Sequence, residues 1–194
     1  CWPCCLLNSS PGFGAANNQT MILSFKQKFP DGTPTYFLEK IWNCLWLTNS
    51  KMDEQWHMAG SAFYEKFGHP WDGHWSDTKT SIETLLNLSP KLHTIRAGDR
   101  WKPGDKIHFC INARTPNYFQ FAPVVEVVSV QSLEIKWIAN LETGKGVTVC
   151  IDGEYHVDIA QLAQNDGFPS VEAFFNWFSK DFTGQIIHWT PLKY

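Results

Sequence analysis

The sequence has little excess charge of either sign. Over 194 residues, 16 lysines and arginines face 19 aspartates and glutamates, a formal net charge of −3. This balance excludes a chain that coats a polyanion with a uniformly basic surface, but leaves room for a local basic patch. No apolar run approaches the roughly 18 residues that a membrane-spanning helix requires, so no membrane partner is expected. The opening Cys1-Trp2-Pro3-Cys4-Cys5-Leu6-Leu7 has neither the basic flank nor the long apolar centre of a secretory signal. Metal-ligand patterns are missing too. Cys1, Cys4 and Cys5 have no second ligand pair at zinc-finger spacing, and His69, Asp72, His74 and Asp77 match no standard ligand set. No metal and no cofactor is expected. Cys44, Cys110 and Cys150 sit singly inside apolar segments, as buried free thiols do, which points to a reducing, cytoplasmic setting. There is no internal repeat.

What is present is apolar and aromatic. The chain is 43% hydrophobic and 18% charged, which excludes a disordered protein and suits one well-filled core with a sizeable insertion. Ten tryptophans and fourteen phenylalanines either build that core or stack on bases and sugars. Residues 1–20 differ in composition, with Asn, Ser, Gly, Ala and Pro dominating from Asn8 to Thr20. They read as a poorly structured extension ahead of a functional start at Met21.

From Met21 onward the periodicity is legible. Ile22 to Phe25 is a short strand that ends at the Pro30-Asp31-Gly32 turn signal. Phe37, Leu38, Ile41 and Leu45 share a helical face. Met52, Trp56, Ala59, Phe63 and Phe67 share another, which stops at Gly68. Ile82, Leu85 and Leu86 suggest a shorter helix before Pro90, with a Trp-rich loop around Trp71 and Trp75. Beyond Pro90 the period becomes two. Strands are expected at Ile107–Ile111, Val124–Val130, Leu133–Trp137, Val147–Ile151 and Ile186–Trp189, with an Asp152-Gly153 hairpin signal. Helices are expected near Asp158–Asn165 and Ser170–Phe178. With too few helices for a βαβ repeat, the class is α+β, a small antiparallel or mixed barrel with packed helices.

Reactive chemistry concentrates in Lys91-Leu92-His93-Thr94-Ile95-Arg96, followed by Trp101-Lys102-Pro103-Gly104-Asp105-Lys106-Ile107. An amine beside a hydroxyl is potential nucleophile chemistry, and an arginine nearby is an anchor for phosphate or carbonyl oxygen. On a strand Thr94 and Arg96 share a face, so Lys91 meets Thr94 only if it lies in a loop ahead of the strand. Pro90 suits such a loop. The plain alternative is the charged solvent face of an edge strand.

Lys91-x-x-Thr94-x-Arg96, Gly104-Asp105-Lys106-Ile107 and Ala163-x-x-Asp166-Gly167-Phe168 together resemble the ASCH domain, a branch of the PUA-like β-barrels. The resemblance covers residues 21–194, with a helical, Trp-rich insertion at about 43–89. It implies a fold that recognises RNA or a modified nucleoside or nucleotide. One small bacterial branch hydrolyses the acetyl amide of acetylated cytidine with a lysine, a threonine and a glutamate. Position by position, Lys91 matches the lysine and Thr94 the threonine, and Asp166 stands where the glutamate is expected. Pro90 replaces the glycine that usually precedes the lysine. In this reading Lys91, Thr94 and Asp166 are the catalytic candidates. Arg96, Arg100, Lys102 and His93 are the ligand-binding ones, with Arg114 as a further nearby cation. His93 alternates with Thr94, which also suits a histidine that packs or hydrogen-bonds. Three functions follow: a nucleoside- or RNA-binding module, an amidohydrolase acting on acylated cytidine, or a protein-interaction adaptor docking through the Trp-rich insertion.

Overall fold

The computed structural model describes residues 19–48, 52–70, 87–140 and 144–194. The Cys1, Cys4 and Cys5 group, the Ile82–Leu86 helix and the loop around Trp71 and Trp75 lie outside the described residues.

In chain order the elements are β1 (Thr20–Ser24), α1 (Phe37–Thr48), α2 (Met52–Phe67), β2 (His93–Ala97), β3 (Lys106–Ile111), β4 (Phe119–Gln120), β5 (Val125–Glu126), β6 (Ser129–Asn140), β7 (Gly144–Ile151), α3 (Ile159–Asn165), α4 (Val171–Trp177) and β8 (Phe182–His188). The molecule is a mixed α+β structure with two sheets. In the first, β1 runs parallel to β3, while β4 and β5 pair antiparallel with the two ends of the other edge of β3. The second is antiparallel throughout, in the order β2-β8-β6-β7. Strand pairing among the described residues gives these two sheets and no closed barrel.

The β-branched run Val124–Val130, expected as one strand, is divided because the chain passes from one sheet to the other. Val127 donates to the Asp105 carbonyl beside β3, and Val128 donates to the His188 carbonyl at the end of β8. A strand that changes sheet in this way makes a corner. A single contiguous core joins the two sheets and the helices, and includes Leu23, Phe109 and Ile111 of the first sheet and Ile95, Leu133, Ile135 and Ile187 of the second. The Pro103-Gly104 turn that leads into β3 closes with Asp105 N–H on the Lys102 carbonyl at 3.1 Å. The buried Asp105 carboxylate accepts from the Lys102 and Gln19 amides, so this acid is a turn fastener. The strand β1 starts at Thr20, one residue ahead of Met21.

The helices follow their signals. α1 roots the Trp-rich segment in the core, with Trp42 fully buried and its indole N–H on the Phe121 carbonyl at 3.1 Å. Trp56 from α2 packs edge-on against Trp42 and tilted against Trp46, with centroids 5.3 and 5.0 Å away. Asp158 and Ser170 cap α3 and α4, accepting from Gln161 N and Ala173 N. Among the described residues no helix is long and apolar enough to cross a membrane.

Candidate functional site

The site is assembled at the end of α3. Phe168 N–H bonds the Ala163 carbonyl and Gly167 N–H bonds the Gln164 carbonyl, each at 2.9 Å. This paired pattern is a Schellman motif, which needs a left-handed residue just past the helix; Gly167 supplies it at φ +85°. The stretch Ala163-x-x-Asp166-Gly167-Phe168 thus has a local cause. It stops the helix, turns Phe168 into the core and leaves Asp166 as the last capping residue, 3% exposed.

Lys91 meets Asp166 from the segment ahead of β2. That segment is pinned at both sides: Lys91 N–H bonds the Lys40 carbonyl of α1 at 2.9 Å, and Leu92 N–H bonds the Asn165 carbonyl of α3 at 2.8 Å. Lys91 therefore lies in the lead-in to the strand, from which it and Thr94 line the same cavity. Its side chain is fully buried, and its ammonium donates both to the Asp166 carboxylate and to the Asp166 carbonyl. It also lies over the Phe37 ring, 4.6 Å from the centroid.

Burial dominates the electrostatics of this pair. It lowers the pKa of Lys91 from 10.5 to about 8, against the pull of the Asp166 carboxylate and helped by the nearby charges of Arg96 and Lys40. Burial likewise raises Asp166 above the ordinary carboxylate value, against Lys91 and Arg96, which stabilise its charge. Each group is thus pushed toward its neutral form while the other holds it charged.

Lys91, Thr94, Arg96 and Asp166 line one cavity of about 120 Å³. Its other walls come from Phe25 and Lys26 just after β1, Phe37 at the start of α1, and Phe168, Trp177 and Phe178 around α4. Arg96 is half-buried and anchored, with Nη2 donating to the Ser24 carbonyl at 2.8 Å and the guanidinium 4.9 Å above the Phe25 ring. Burial pulls its pKa down from the ordinary arginine value. Gly184 of β8 makes this arrangement possible, because a Cβ there would lie 2.1 Å from the Arg96 carbonyl.

His93 is placed differently. It is fully buried on the opposite face of β2 from Thr94 and does not line the cavity. Asn165 Nδ2 donates to the Tyr194 hydroxyl at 2.9 Å, and that hydroxyl is hydrogen-bonded to His93 Nε2 at 2.7 Å. His93 Nδ1 faces Asp166 Oδ1 at 3.7 Å, beyond hydrogen-bond length. Burial keeps the ring neutral, with its pKa well below the usual value. Arg100, Lys102 and Arg114 are exposed and are not among the lining residues.

Sequence reasoning missed Lys26 and four aromatic walls, Phe25, Phe37, Trp177 and Phe178. They carry no motif; only the tertiary fold brings them together. Among the described residues no cluster of His, Cys, Asp and Glu is arranged to hold a metal ion. Chemically, the cavity offers flat apolar walls, cationic donors and one carboxylate. Comparison of the chain with protein-family models, curated proteins and solved structures gives no match.

Proposed function

We propose that this chain is an ASCH-type, PUA-like domain that captures a nucleoside or nucleotide, free or in RNA, by taking one six-membered heterocycle into the cavity beside Lys91, Thr94 and Arg96. One observation carries the reading: a buried Lys91–Asp166 pair opens, with Thr94, onto an aromatic-walled space of about 120 Å³. An apolar cavity of about 150 Å³ accepts benzene. The space here suits a single ring of pyrimidine size and is too small for a purine with its sugar. Stacking on flat walls combined with a few placed polar groups is how unpaired bases are read. The corner at Val127–Val128, which joins the two sheets around one core, supports a relation to barrel folds. The buried free thiols of Cys44 and Cys110 suit a reducing, cytoplasmic setting.

A second reading, hydrolysis of an acylated cytidine, is favoured by the lowered pKa of Lys91, about 8. An amine poised there can accept the Thr94 proton as the hydroxyl attacks the acyl carbon. The exocyclic nitrogen then leaves with a proton as cytidine, and water releases acetate from the threonine ester. The direct Asp166 contact opposes this route, because it favours the charged, non-basic form of Lys91.

The readings separate in one experiment. Cytidine and N4-acetylcytidine are titrated into the protein by calorimetry, and the mixtures are then assayed for free acetate. Binding that weakens in Arg96→Ala with the acetyl group intact establishes the module. Acetate release abolished by both Thr94→Ala and Lys91→Ala establishes the hydrolase. If no pyrimidine nucleoside or nucleotide binds or reacts, both readings fail.

A further inference from the structure

We propose that the ligand carries a phosphate monoester, held at the mouth of the cavity between Lys26 and Arg96. On this view it is a mononucleotide or a phosphorylated strand end, not a bare nucleoside or an internal stretch of RNA. The proposal rests on the nucleoside reading above and adds a charged subsite to it.

The charge count leads there. Three cations line the cavity, Lys26, Lys91 and Arg96, against one carboxylate, Asp166. Lys91 and Asp166 are in contact and offset each other. Lys26 and Arg96 form no ion pair with any described residue. With Asp166 shared between Lys91 and Arg96, the lining keeps a formal excess of two positive charges, in a chain whose formal net charge is −3. Their complement is a dianion. A phosphate monoester carries about −1.5 to −2 at neutral pH, whereas an internal phosphodiester carries a single charge.

Geometry agrees. The Ser24 carbonyl and the Phe25 ring hold the Arg96 guanidinium beside the backbone that continues into Lys26. One guanidinium donor is committed to Ser24, and the rest of its fork remains for the paired contacts that arginine makes with phosphate oxygens. Lys26 is exposed, and its ammonium sits 5.2 Å from the Trp177 ring centroid. It thus marks the solvent side of a cavity whose inner end is Lys91 and Asp166. With room inside for one ring only, the sugar and phosphate must sit at that outer side.

The test uses calorimetry on the intact chain with cytidine, uridine, their 5′- and 3′-monophosphates, inorganic phosphate, and a short RNA with and without a 5′-phosphate. A monophosphate is expected to bind about tenfold or more tighter than its nucleoside, a difference of roughly 1.4 kcal/mol. Lys26→Ala should erase most of that advantage, weakening the monophosphate about tenfold more than the nucleoside. Equal binding of nucleoside and monophosphate overturns the subsite while the nucleoside reading survives. Inorganic phosphate that binds and is lost in Lys26→Ala, with no nucleoside bound, keeps the subsite and removes the nucleoside reading. A phosphorylated RNA that outcompetes the mononucleotide assigns the strand end as the source; the reverse order assigns the free nucleotide.

Discussion

Lys40 on α1 and Lys91 ahead of β2 both end against the turn that closes α3. Lys40 donates to the Gly167 carbonyl at 2.6 Å, and Lys91 donates to the carbonyl and the carboxylate of Asp166. Both are buried, and burial lowers the pKa of each. Cations over the last carbonyls of a helix are favourable, so capping alone accounts for Lys40. It does not account for Asp166. A carboxylate at a helix C-terminus is on the wrong side of the dipole, and burying it costs more than a carbonyl partner would. Lys40 shows that this turn can hold a buried lysine on a carbonyl alone, its charge favoured by the neighbouring Glu39 of its own helix rather than by an acid at the turn. The acid next to Lys91, on the cavity side, is what capping leaves unexplained and what the proposed ligand chemistry would use.

The largest effect that separates the two lysines is expected from Lys91→Met. It strands the Asp166 charge and should cost about 3–5 kcal/mol in denaturant unfolding. Adding Asp166→Asn should return most of that loss while leaving ligand binding abolished. If the single substitution is harmless, the pair is not an ion pair of consequence. The pair also has a pH signature. The Lys91 pKa is about 8 in the folded chain against an ordinary 10.5, so the unfolded chain binds more protons between those values. Stability should therefore rise with pH from about 8 to 10.5 as this group loses its charge. Unfolding at stepped pH should show a smaller rise in Lys91→Met.

Lys40→Met should cost less, about 1–3 kcal/mol for one unpaired buried carbonyl, and should leave nucleoside affinity unchanged. A loss equal to that of Lys91→Met would dissolve the distinction between them. The smallest effect is expected from Gly167→Ala, about 1–2 kcal/mol for a left-handed residue with a side chain. The added Cβ would lie 3.2 Å from the Phe37 ring and 3.4 Å from Lys91 Cδ. Ligand affinity should fall with it, since both contacts belong to the cavity wall; unchanged affinity would show that the wall gives way freely.

Much of this was readable from local signals. Helical and strand periods placed α1, α2, α3, α4, β3 and β7. Pro90 and the alternation Thr94–Arg96 anticipated a lysine ahead of the strand with the threonine and arginine on one face. Asp166 before Gly167 anticipated an acid at a helix end. What local signals could not carry is which distant segment arrives opposite. Lys26, Phe25 and Trp177 lie far from the signature, and nothing in their own neighbourhoods marks them. The parallel pairing of β1 with β3 and the change of sheet at Val127–Val128 are likewise set by long-range hydrogen bonds. Arg100 and Lys102 looked close to the signature in sequence, but the turn into β3 carries them to the surface.

The most direct test is nuclear magnetic resonance of lysine side chains labelled at Cε, titrated with pH and then with cytidine 5′-monophosphate. Lys91, assigned by its loss in Lys91→Met, should titrate with a midpoint near 8 and shift on adding the nucleotide, while Lys40 stays put. A Lys91 midpoint near 10.5, with no response to the nucleotide, would contradict the account.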